Sequence, residues 1–145
     1  METSAGYKFL PHTTDAYIQA AGVTLEEAFA YAATALFDTI CNVSTISSKI
    51  TERIHAEAPS EIMLLYDWLE ALLLKFELES RVFSSFHVSQ ISRRQNNLVL
   101  DAEVHGETFD KRKHGAKVEV KAVTLHRMEI LPGGPLTVIR FILDL

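Results

Sequence analysis

Thr24-Leu25-Glu26-Glu27-Ala28-Phe29-Ala30-Tyr31-Ala32-Ala33-Thr34-Ala35-Leu36-Phe37-Asp38-Thr39-Ile40 begins as a capping box and continues apolar at helical spacing. In such a box the Thr24 hydroxyl accepts from the amide three residues on, and the Glu27 carboxylate reaches back to the Thr24 amide. Leu25, Phe29, Ala32, Leu36 and Ile40 recur on one face, which predicts a helix from Leu25 to about Ile40. The small side chains of Ala28, Ala30, Ala32 and Ala33 let that helix lie close to whatever it covers. A second helix follows Pro59-Ser60, with Ser60 as its cap and Glu61 suited to the positive N-terminal end. Ile62, Leu65, Leu69, Leu72 or Leu73, and Phe76 mark its buried side. Leu64, Tyr66, Trp68 and Leu74 widen that side to nearly all faces, which predicts a central, deeply buried helix.

Around these two helices the chain reads as strand. Ile50, Glu52, Ile54 and Ala56 alternate with Thr51, Arg53 and His55, the pattern of a half-buried strand. Residues 86–91, the turn Gln95-Asn96-Asn97 and residues 98–104 read as a hairpin. Val118, Val120, Ala122 and Thr124 alternate with Lys117, Glu119, Lys121 and Val123 in a long strand to about Ile130. Pro132-Gly133-Gly134-Pro135 forces a turn into a last β-rich strand, 136–145, and residues 7–10 and 16–21 are shorter candidates. The expected fold class is α+β: one domain over residues 1–145, a largely antiparallel or mixed β-sheet with two α-helices packed on one face.

The composition supports an ordinary globular domain. Of 145 residues, 48% are hydrophobic and 23% charged, which excludes a disordered tail or a fibrous protein. With 14 basic and 19 acidic residues the formal charge is −5, which disfavours a broad face for neutralising duplex phosphates. The single cysteine, Cys41, has no internal disulfide partner, as expected of a reducing compartment. Met1-Glu2-Thr3-Ser4 lacks the features of a secretory signal, and the expected location is the cytoplasm.

Chemistry-bearing residues are few. His12-Thr13-Thr14-Asp15 precedes the second strand, and a His and an Asp three apart in a turn can converge on a cation or a substrate; a plain turn aspartate is the simpler reading. Asp144 ends an apolar strand, and the Leu145 α-carboxylate follows it. Two carboxylates one residue apart are hard oxygen donors suited to Ca²⁺ or Mg²⁺, set against the simpler reading of a solvated terminus. Lys121 interrupts an apolar run, either on the solvent face of a strand or as a cation beside those carboxylates. His126 falls on the face of Val120 and Thr124, where a core or edge histidine is the simpler reading. Lys111-Arg112-Lys113-His114 reads as a solvated basic loop, and Cys41 lacks a basic activator.

Taken in order, His12-Thr13-Thr14-Asp15, Thr24-Leu25-Glu26-Glu27-Ala28-Phe29 and Leu65-Tyr66-Asp67-Trp68-Leu69-Glu70-Ala71-Leu72-Leu73 resemble the archease family. Gly106-Glu107, Glu119-Val120-Lys121-Ala122-Val123-Thr124-Leu125-His126 and Asp144-Leu145 continue the likeness to the end of the chain. Thr14 departs from the family's usual alanine and leaves the flanking His12 and Asp15 in place. The resemblance implies an accessory protein, itself without catalytic activity, of the tRNA-splicing RNA ligase. That enzyme uses manganese and GTP and passes through a guanylylated histidine of its own; the archease promotes guanylylation and repeated turnover. It further implies a divalent cation, calcium or similar, on Asp15, Asp144 and the Leu145 carboxylate, with Lys121, His12 and His126 as functional neighbours facing the partner. RNA is then met only indirectly, through the ligase, and no membrane is involved. Two other readings stand beside it: a small metal-dependent phosphoester hydrolase using Asp15, Asp144 and His12, and an RNA-binding module using Arg93, Arg94 and residues 111–113, against which the net charge counts.

Overall fold

The computed structural model describes residues 4–12 and 14–145, so Met1-Glu2-Thr3 and the Thr13 of the first motif lie outside the described residues. Eight strands and three helices follow in the order β1 (Gly6–Leu10), β2 (Ala16–Gly22), α1 (Leu25–Ile40), β3 (Ile50–Ala58), α2 (Glu61–Glu79), β4 (Arg81–Val88), β5 (Ser92–Arg94), β6 (Asn97–Thr108), α3 (Lys111–His114), β7 (Ala122–Gly133) and β8 (Leu136–Asp144). A 3₁₀ turn, Val43–Thr45, follows α1. The class is α+β and the pairing antiparallel throughout, but the strands divide between two sheets. One has the order β1-β2-β8-β7. The other has β3-β6-β4, with β5 also paired to β6.

Both long helices touch strands of both sheets. The alanines of α1 make that closeness possible: Ala28, Ala32, Ala33 and Ala35 are all fully buried. The caps form where the sequence places them, with the Glu27 amide on Thr24 Oγ1 at 3.1 Å and the Met63 amide on Ser60 Oγ at 3.2 Å. Thr24→Ala is therefore expected to cost roughly 1 kcal/mol, the usual loss for an N-cap hydroxyl, readable as a small shift in denaturant midpoint at unchanged slope. The Trp68 indole, wholly buried, donates to the Phe29 carbonyl at 3.0 Å and locks α2 onto α1. Phe37 meets Phe83 edge-on at 5.7 Å and Phe86 stacked at 5.9 Å, joining α1 to β4.

Three segments depart from the pattern read above. β4 starts at Arg81, five residues before 86 and directly after the left-handed Ser80 (φ 55°) that ends α2. The basic stretch 111–114 is a short helix, α3, capped by Asp110, and its His114 is buried. The strand expected from Val118 begins only at Ala122. The reason is competition for backbone partners: the Lys117 amide donates to the Ile40 carbonyl at 2.9 Å, and its ammonium to the Asp38 carbonyl at 2.9 Å. Those bonds hold this stretch to the C-terminal end of α1.

Candidate functional site

The β2–β8 register pairs Ala16 with Leu143, so Asp15, which precedes Ala16, and Asp144, which follows Leu143, stand at the same end of one sheet. Both line a pocket of about 470 Å³ together with Tyr66, Ala122, Val123, Thr124, Leu125, His126 and Ile142. Asp144 pairs across to Ala122 on β7, which brings the third strand to the same corner. Leu145 follows directly, half-buried, with its side chain packed against the core.

The remaining residues singled out above are distributed unevenly around this corner. Lys121 is exposed, just ahead of β7, and its amide donates to the Asp144 carbonyl at 2.7 Å. It therefore belongs to no strand face, although its backbone is tied to the residue beside which its charge was expected. His126 is not on the alternating face either. A register shift between Thr124 and Glu129 inserts extra residues into β7 opposite β8, and Leu125, His126 and Arg127 stand exposed. The His126 amide donates to Thr124 Oγ1 at 3.1 Å, and Arg127 takes a positive φ of 59°. This is what a bulge does: it re-aims side chains that strict alternation would have sent elsewhere. His12 lies outside the pocket lining, edge-on to Tyr17 at 5.9 Å, and the Arg127 guanidinium lies 5.1 Å from the same ring centroid.

The donor set at the corner is oxygen-rich, which fits a hard divalent cation. Among the described residues no three His, Cys, Asp or Glu side chains stand together as a metal site. Two aspartates alone would leave such an ion under-coordinated. Cys41 is buried, and burial pushes its thiol up to about 11, with Asp38 adding to the rise against Lys117; it is an inert core thiol.

The archease protein family (MTH1598/TM1083), compared as a whole-family profile, matches residues 7–145. The chain belongs to the archease family. A protein named archease from Pyrococcus furiosus is 44% identical over 125 residues, spanning 85% of this chain and 87% of its own. One from Methanothermobacter thermautotrophicus is 39% identical over 140 residues, spanning 97% and 99%. The solution structure of Methanobacterium thermoautotrophicum protein 1598 superposes with a TM-score of 0.83 at 35% identity, covering 97% of this chain and 99% of that one. The crystal structure of a Thermotoga maritima archease, described as a possible chaperone, shares the fold at a TM-score of 0.56 and 21% identity, covering 95% and 96%.

Within this archease fold the pocket walls were not legible as such. Tyr66 reads in sequence as one more large residue on an all-round apolar helix, and nothing in the spacing of Leu125 announces a bulge. The positive φ at Arg127 has no glycine or asparagine to betray it. No helix of the described residues is long and apolar enough to cross a membrane.

Proposed function

We propose that this archease is a cytoplasmic accessory protein of the GTP- and manganese-dependent tRNA-splicing RNA ligase, promoting the ligase's guanylylation and its multiple turnover in exon joining. The observation that carries the reading is the placement of Asp15 and Asp144 on one pocket at the end of the β2–β8 pair. Asp15, Asp144 and the Leu145 carboxylate would hold the divalent cation, for which calcium suits this oxygen set. A bound cation supplies positive charge that balances clustered carboxylates, which otherwise repel one another. The protein's own part is to tie the last strand to the start of β2 and to present that corner, with His126 on its bulge and Lys121 beside it, to the ligase. His12 has a more distant part, through its contact with Tyr17.

The hydrolase reading ranks lower because it requires His12 as a base, and His12 is not among the residues lining the pocket. Affinity capture with this chain from its own cell extract is expected to retain the RNA ligase. The purified chain is expected to hydrolyse no phosphodiester above background. Capture that leaves the ligase behind, or hydrolysis abolished by Asp15→Ala, would overturn the reading.

A further inference from the structure

A second pocket, of about 730 Å³, opens where β3 begins and β6 ends, lined by Lys49, Ile50, Glu107, Thr108, Phe109, Asp110, Lys111 and Lys113. Its floor is Glu107, a carboxylate only 6% exposed. Oε2 accepts from the Ser47 amide at 2.7 Å and the His114 Nε2 at 2.8 Å, and Lys113 Nζ lies 2.6 Å from it. His114 is itself 1% exposed and accepts the Asp110 amide on Nδ1 at 2.9 Å, which fixes Nε2 as its protonated nitrogen. Lys113 also donates to Ser47 Oγ at 2.8 Å. These contacts hold the Glu107 carboxyl down at about 2, through Lys113 first, then the Ser47 amide and His114, so it stays charged at any physiological pH.

The two carboxylate oxygens are used very differently. Oε2 is saturated, whereas Oε1 has no hydrogen bond among the described residues and meets only the Lys49 ammonium at 3.8 Å. Oε1 thus keeps unused acceptor capacity on a residue that lines the pocket. Lys111 is exposed on the rim and forms no ion pair among the described residues, while the exposed Asp110 accepts the Arg112 amide on Oδ1 at 2.9 Å. The Phe109 ring, stacked on His114 at 5.8 Å, supplies an apolar wall. A ligand matched to this set has an anionic group for Lys49 and Lys111 and, close by, a hydroxyl that donates to Oε1. An RNA strand carries both, a phosphate and a 2′-hydroxyl, and DNA lacks the second.

We infer that this pocket binds the sugar–phosphate backbone of single-stranded RNA, with Lys49 and Lys111 on a phosphate and Glu107 Oε1 accepting from a 2′-hydroxyl. The formal charge of −5 argued against direct RNA contact. That average conceals the local arrangement: the Glu107 charge is turned inward onto internal donors, while Lys111 and Arg112 face out beside an exposed Asp110. The inference does not depend on the Asp15–Asp144 corner.

The test is fluorescence anisotropy of labelled single-stranded RNA, its 2′-O-methyl form and DNA of the same sequence, on the full chain, at salt concentrations from about 50 to 200 mM. RNA is expected to bind roughly threefold or more tightly than the other two, the worth of one hydrogen bond. Lys111→Glu is expected to weaken binding about tenfold, and Lys49→Ala to lower the salt slope by about 0.7. Glu107→Gln keeps an oxygen for the internal donors and replaces the other with an amide NH2 that can only donate, so in a variant that melts as a folded protein the preference for RNA over its 2′-O-methyl form should vanish. Equal affinity of the wild type for all three strands, undiminished binding by Lys111→Glu, or displacement by polyglutamate as readily as by RNA would overturn the inference.

Discussion

Asp144→Ala and Asp15→Ala are each expected to cut stimulation of the RNA ligase roughly tenfold or more under multiple-turnover conditions, since even residues that merely support a metal ligand cost 10–100-fold in metal affinity when changed. Neither change empties core volume: Asp144 is exposed and Asp15 half-exposed, so both variants should melt with the wild type. On the proposed reading, appending a few residues after Leu145 should act in the same way, because it would turn a carboxylate donor of the cation into an amide. Lys121→Ala should reduce stimulation with the fold kept, as its Nζ makes no ion pair among the described residues and its backbone bond to Asp144 survives the change. The readout is joined RNA per ligase molecule, with little effect expected when the ligase starts already guanylylated. Full stimulation by both the extended chain and folded Asp144→Ala would remove the carboxylate corner from the mechanism.

Phe37→Ala is expected to do the reverse and destroy the fold's margin without touching the pocket. The ring is wholly buried and packs on Phe83 and Phe86, so it bridges α1 to the sheet that carries β4. Truncation loses both the transfer free energy and the packing around the cavity left behind, about 3–5 kcal/mol for such a residue. For a domain of this size that lowers the melting temperature by roughly 10 °C. Ligase stimulation measured well below the lowered melting point should persist. A melting temperature within about 2 °C of wild type would show that the aromatic cluster is not what joins the two sheets.

Local signals were legible because they rest on neighbours in the chain. The capping hydroxyls of Thr24 and Ser60, the helical spacing from Leu25 to Ile40, and the alternation of Ile50 through Ala56 all appear in the structure with the boundaries their residue types imply. The turn at Gln95-Asn96 is equally local, with Gln95 at a positive φ of 55°. By contrast, the stretch 117–121 alternates as a strand should, yet the Lys117 amide bonds to Ile40 at the end of α1, some eighty residues earlier in the chain, and the Lys121 amide alone reaches β8, at Asp144. Period-two patterning records only which side chains avoid water, and Val120 is buried against the core without any strand to carry it.

The same division governs the candidate functional residues. The identities of Asp15, Asp144 and Lys121 were visible through their likeness to a family pattern, while their mutual placement depends on the β2–β8 register, a pairing of the first quarter of the chain with its end. His114 illustrates the opposite failure: among three cations in sequence it reads as solvated, yet it is buried because Glu107 and the Asp110 amide together satisfy both ring nitrogens. By itself, then, the sequence determined the two long helices, the β-rich remainder, the α+β class and the residues able to carry charge. Only the tertiary structure decided the division into two sheets, the bulge that exposes His126, and which carboxylates are open and which are spent. Helix and turn preferences are set by interactions a few residues long, whereas sheet partnership and the desolvation of a charge depend on what arrives from far along the chain.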